Sequence, residues 1–175
     1  MMAPHEIDQF LPDPALSVRS QDDYTVVTIS GELGTADTEA LFYLALTFGL
    51  EDNPPEAVAR AIGFVETCGR ARGIQHPFQG TIATTDGENL WVFRYSSQGK
   101  SRSLFFTRDV HLLRQQYPDR EILREVSDDT RLVVSEPIGD LPGAWIAMPE
   151  ASYGIVSKGG DQLLPFAPKP PHKTA

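Results

Sequence analysis

The chain has 175 residues, with 15 Lys and Arg against 24 Asp and Glu and a formal net charge of −9. An acidic chain without a basic cluster is a poor partner for nucleic acid or an anionic membrane surface, and its apolar runs fall far short of the ~20 residues that a membrane span needs. Apolar residues make up 41% and charged residues 22%, the balance of a folded chain, and at this length one core buries roughly 70% of the unfolded surface with no metal or disulfide to help it.

Residues 1–14 are polar and proline-bearing, so a loose start is expected. MMAPHEIDQF has neither the basic nor the apolar stretch of a secretory signal, and the single cysteine, Cys68, excludes an internal disulfide. Both point to a cytoplasmic protein. Residues 17–31, SVRSQDDYTVVTISG, are rich in β-branched side chains around Asp22-Asp23 and read as a strand, or a hairpin turning at 21–23.

Residues 34–49, GTADTEALFYLALTFG, form the organising helix. Thr35 suits the N-cap, Asp37 and Glu39 place carboxylates in the first turn where the helix dipole favours them, and Gly49 suits the C-terminal stop. Leu41, Leu44, Ala45 and Phe48 share a face, and Ala40, Phe42, Tyr43 and Leu46 fill most of the rest, so burial on more than one side is expected. After an acidic link, Asn53 caps a second helix that tolerates Pro54 and Pro55 in its first turn, carries a stripe of Val58, Ala61, Ile62 and Val65, and fades over 69–73. The two make an αα-hairpin.

From Gln79 the period changes to two. Residues 81–83 and 90–95 read as a hairpin with an Asp86-Gly87 turn. Strands follow at 103–107, 132–135, 145–148, 153–156 and 163–166, with short helical stripes at 110–116 and 121–126 and a glycine turn at Gly159-Gly160. The tail 167–175, APKPPHKTA, is expected to be disordered. A helix pair followed by hairpin-linked strands argues an α+β fold with antiparallel sheet and helices on one side, not a doubly wound parallel sheet.

Local chemistry is sparse. His5, His76, His111 and His172 are scattered without metal-ligand spacing, so no metal and no cofactor is expected. There is no phosphate-binding glycine loop and no Gly-x-Ser-x-Gly elbow. Cys68, near the end of the second helix, reads as a small half-buried side chain, because a nucleophilic thiol needs an activating base and none is local. Arg94, Lys100, Arg102 and Arg108 read as solvated edge charges, with an anionic-ligand site as the alternative. Trp91 and Trp145 read as strand aromatics.

Three strings in order, ADTEALFYLALTFGLEDNPPEAVARAIGFVE, LWVFRYSSQGKSRSLFFT and RLVVSEPIGDLPGAWIAMPEASYGIV, closely resemble the C-terminal half of class II glutamine amidotransferases of the stand-alone bacterial type. The resemblance runs from about residue 34 to residue 166. It implies an N-terminal-nucleophile-type fold of antiparallel sheets between helical layers, incomplete relative to the family. In that family an N-terminal cysteine attacks the glutamine carboxamide with its own amino group as base, an Asn-Gly pair builds the oxyanion hole, an arginine holds the substrate carboxylate, and an aspartate at a helix start holds the α-ammonium. The last motif matches Ala36-Asp37-Thr38-Glu39, so Asp37 inherits ammonium binding; otherwise Asp37 and Glu39 simply compensate the helix dipole.

The departures are specific. Ala36 stands where the motif has threonine, the chain begins Met-Met-Ala, and Asn53 and Asn89, the only asparagines, are not followed by glycine. The expectation is a glutamine amidotransferase-like domain over 34–166, without catalytic residues of its own and unable to hydrolyse glutamine alone, preceded by an atypical segment, 1–33. Residues 16–41 also resemble the opening of STAS domains, the anti-sigma-antagonist fold, though Gly34 replaces that family's aspartate and its phosphoserine motif is absent. The rival readings are a partner-binding module, which complements a separate nucleophile half or self-associates through open sheet edges, and a STAS-like switch. Glutamine or a related amino acid is the expected small partner.

Overall fold

A computed structural model describes residues 16–21, 24–29, 37–107, 110–125, 127–128, 130–137, 143–157 and 160–171. Two compact units emerge, Met1–Thr67 with Pro168–Ala175, and Cys68–Ala167. The expected 34–166 domain spans both, with the boundary inside a helix. The loose start at 1–14, the N-cap at Thr35 and the turn at residue 159 lie outside the described residues.

In the first unit, β1 (Leu16–Gln21) and β2 (Tyr24–Ile29) pair antiparallel with Gln21 opposite Tyr24, the hairpin that the β-branched run implies. Helix α1 (Asp37–Thr47) ends as its glycine requires. Gly49 has φ +85°, its amide donates to Leu46 O at 3.0 Å, and Leu50 N donates to Ala45 O at 3.1 Å. This is a Schellman closure, open to glycine because a Cβ is strained at that φ. Burial on α1 is narrower than expected. Leu44 and Ala45 are buried, but Phe42 is 49% exposed.

Helix α2 (Pro54–Ala71) begins at Asn53, whose Oδ1 accepts from Glu56 N at 3.2 Å. It buries Ala57, Val58, Ala61 and Ile62. The Phe48 and Phe64 rings meet at 6.4 Å, and the Arg60 guanidinium sits 4.7 Å from the Phe48 centroid. The tail departs from expectation. Lys169 N donates to Ala59 O at 2.8 Å, and its ammonium pairs with Glu56. A Cβ on Gly63 would come within 2.2 Å of Lys169 O, so a bare glycine lets this segment lie directly on α2. Residues 167–171 therefore have a defined place that composition alone does not reveal, while 172–175 lie outside the described residues.

The second unit holds two antiparallel sheets. One has the order β3 (Gln79–Thr85), β4 (Leu90–Ser96), β8 (Ser152–Ser157), β9 (Gly160–Pro165). The other has β5 (Phe105–Thr107) between β6 (Val133–Val134) and β7 (Trp145–Ala147). The β3–β4 turn is longer than an Asp-Gly pair, since Thr85 pairs with Leu90 and 86–89 form the loop. Asp86 winds it. Its Oδ1 accepts from Asn89 N at 2.7 Å and Glu88 N at 2.9 Å, which holds its carboxyl below the usual range.

One face of the first sheet is aromatic. Phe93 stacks on Tyr153 at 5.6 Å and meets Phe166 at 5.4 Å, and Tyr95 meets Phe166 at 5.6 Å. On the opposite face Val92, Leu104 and Met148 form a buried cluster, with Leu90, Phe106 and Val133 against it. Helices α3 (Val110–Gln116) and α4 (Glu121–Glu125) pack a third cluster of Val110, Leu113, Leu123 and Ala144. Arg114 joins them by donating to Leu123 O at 2.6 Å and pairing with Asp128. The expected α+β class with antiparallel strands is what the chain adopts.

Candidate functional site

Asp37 is the first residue of α1, and its side chain lies outside the described residues. Thr38 and Glu39, which follow it, are exposed.

The second unit contains a cleft of about 410 Å³ between its two sheets. Val92, Val156 and Gly154 line one wall, and Phe106, Val133 and Ile146 the other. These walls are apolar, with β-branched Val92, Val133, Ile146 and Val156 alternating toward the inter-sheet space beside Phe106. At the mouth Arg131 Nε donates to Asp161 Oδ2 at 3.0 Å, with Gln162 and Leu163 beside them. The pair joins the approach to β6 with β9. Its side chains keep 31% and 27% of their exposure, so it contributes about 0–1 kcal/mol to stability and gives an apolar cleft a polar entrance.

A second cluster stands at the end of β4. Arg94 Nε donates to Ser101 Oγ at 2.9 Å, and the same guanidinium donates to Met148 O. Glu150 Oε2 accepts from Ser101 N at 2.8 Å and Ser101 Oγ at 2.5 Å, with Arg94 Nε at 3.8 Å. Burial raises the Glu150 pKa, but the Ser101 hydroxyl and amide and the Arg94 charge outweigh it, and the carboxyl is held below its ordinary value. The carboxylate is thus tied to a serine and an arginine, which favour its anionic form. The network fastens the turn after β4 to the link between β7 and β8.

Within the second unit, the described sequence candidates do not form one cluster. Arg94 is committed to this internal network, Lys100 and Arg102 are exposed, and Arg108 lies outside the described residues. His76 and His111 are exposed, His5 and His172 lie outside, and among the described residues no three His, Cys, Asp or Glu side chains come together as metal ligands. Cys68 is half-buried, and Arg72 donates to its carbonyl at 3.1 Å. Trp91 and Trp145 are half-buried strand residues. No described helix is long and apolar enough to cross a membrane. Ser101, Arg131, Glu150 and Asp161 were not singled out by sequence reasoning. Ser101 and Glu150 are 49 residues apart, Arg131 and Asp161 are 30 apart, and no local motif joins either pair.

No family model and no curated protein matches the chain. Among solved structures it is similar to a glutamine aminotransferase class-II domain protein from Silicibacter pomeroyi, with 30% identity over 79% of this chain and a TM-score of 0.62. The chain spans about half, 55%, of the length of that protein. The α+β fold with antiparallel sheets is thus related to the fold of a class II glutamine amidotransferase-like protein.

Proposed function

We propose that this chain supplies the scaffold of a class II glutamine amidotransferase-like domain, in which the Asp37 carboxylate holds the α-ammonium of glutamine or a related amino acid. The observation that carries the reading is the similarity at 30% identity over 79% of the chain. The sequence supports it by opening α1 with Asp37 within Ala36-Asp37-Thr38-Glu39. A carboxylate there pairs with an ammonium and fixes the orientation of the amino acid.

These 175 residues contain one cysteine, in the middle of the chain, and no Asn-Gly. Glutamine hydrolysis without a nucleophile and an oxyanion hole loses both the covalent step and the largest electrostatic contribution. The chain by itself binds and does not cut. Titration with glutamine, followed by thermal shift and NMR, is expected to show binding that Asp37→Ala abolishes, with no ammonia released. Absence of binding would remove Asp37 from the role. Turnover by the purified chain, lost in Asp37→Ala, would overturn its inactivity.

A further inference from the structure

Lys169 meets α2 at three points, and each answers a different part of that residue. Its amide donates to Ala59 O at 2.8 Å. Its ammonium pairs with Glu56. Its carbonyl lies where a Cβ on residue 63 would stand, and Pro170 N would collide with the same Cβ, so only glycine admits the segment there. Glu56, Ala59 and Gly63 follow one another at helical spacing and share a face of α2. Ala59 and Gly63 are buried, while Lys169 and Pro170 are exposed, so the segment lies over the helix as a cover.

The cover is lightly held. Residues 168–171 read Pro-Lys-Pro-Pro and take neither helix nor strand. Proline carries no amide, so Lys169 supplies the one backbone donor of the four. Proline also fixes φ, so the segment is extended before it docks and loses little chain entropy on docking. The ion pair keeps 60% of the lysine and 37% of the glutamate side-chain exposure, which leaves it open to screening by salt. One hydrogen bond and one exposed ion pair are far less than what holds α2, which buries Ala57, Val58, Ala61 and Ile62. Local opening of the segment therefore comes before unfolding of the helix.

We infer that residues 168–171 are a latch that opens and closes on α2 without unfolding it, with Gly63 as its seat and the Glu56–Lys169 pair making its hold sensitive to ionic strength. Opening uncovers a strip of α2 at Ala59 and Gly63. Latch and seat both belong to the first unit. The inference uses neither Asp37 nor the cleft, so it stands apart from the glutamine reading.

Amide exchange of the full chain, followed by NMR, tests this. The Lys169 amide is expected to exchange more slowly than in a free peptide of residues 166–171, and faster than the Ile62 amide within α2. Raising salt from about 0.05 M to about 1 M should cut its protection by about two- to fivefold, and Glu56→Gln should remove that dependence. Gly63→Ala should bring Lys169 to the rate of the free peptide while Ile62 stays protected. Should Gly63→Ala alone fail to fold, Lys169→Pro removes the amide and releases the segment. Gly63→Ala in that background is expected to raise the urea midpoint, because alanine is the better helix former where nothing lies over it. Exchange of Lys169 at the rate of Ile62 overturns the inference, since the segment then has no opening of its own. So does protection of Lys169 that survives Gly63→Ala, a salt dependence that Glu56→Gln leaves unchanged, or a lower midpoint for Gly63→Ala in the Lys169→Pro background.

Discussion

The two faces of the β3-β4-β8-β9 sheet are built from adjacent residues and end in opposite states. Phe93 points to a face where Tyr95, Tyr153 and Phe166 contact one another ring to ring. Val92, its neighbour, points to a face that leaves a cleft of about 410 Å³. Both residues are buried, at 0% and 2% exposure. The difference lies in the volume arriving from each side. Large rings interlock on one face, whereas valines and a glycine, Val92, Gly154 and Val156, meet the short second sheet on the other. Burial alone does not distinguish a filled core from the wall of a cleft; the sizes of the side chains opposite do.

The sharpest break of this comparison is Phe93→Ala. Removing a fully buried ring from the aromatic face is expected to cost about 3–5 kcal/mol, read as a lower denaturant midpoint at unchanged m. Glu150→Gln comes next, because its network stands on the face opposite Phe93 and ties the end of β4 to the link before β8. Arg94 follows Phe93 in the chain and donates to the carbonyl of Met148, whose side chain lines the cleft. Losing the charged acceptor of Ser101 is expected to cost about 2 kcal/mol at neutral pH. A carboxyl held below its ordinary value lends stability that is complete above the unfolded-state value near 4.5 and is lost as pH falls through the lower folded one. Urea midpoints taken in steps below 4.5 should therefore fall more steeply for the native chain than for Glu150→Gln.

Local features were legible in the sequence, and pairings at a distance were not. Asn53 and Gly49 marked helix ends because a cap is made by a residue and its near neighbours, and both act as expected. The β3–β4 hairpin was legible from its period and turn, although Asp86 gathers a longer loop than a two-residue turn. Nothing in the chain order says that β4 pairs with β8, or that β5 lies between β6 and β7. Those contacts are chosen by which apolar faces meet after collapse. The contact of Lys169 with the second helix was not legible for a related reason. The composition around it is that of a loose end, but Gly63, far upstream, leaves the room that Lys169 and Pro170 use. Phe42 was misjudged because an apolar residue on a helix reports what it could bury, not what is there to cover it. For the candidate site, only Asp37 carries a sequence signal, through its motif at a helix start; the cleft and the Arg131–Asp161 pair at its mouth arise from segments that the fold brings together.

Two substitutions on the cleft face sharpen the comparison from the other side. Val92→Ala removes two methyl groups and is expected to cost about 1.5 kcal/mol, less than Phe93→Ala, because space already adjoins the site and little new enclosed cavity is made. Gly154→Ala should do the reverse. A Cβ there would lie 3.6 Å from Gln162 O and 3.7 Å from the Met148 methyl carbon, ordinary van der Waals distances. Its φ lies outside the left-handed region that favours glycine. Glycine within a strand loses more chain entropy on folding than alanine, so the substitution is expected to be neutral or to stabilise by up to about 0.5–1 kcal/mol. The same methyl narrows the cleft. A rise in the denaturant midpoint would show that this wall has room to spare, and a loss of more than about 1 kcal/mol would show it to be as tightly filled as the aromatic face.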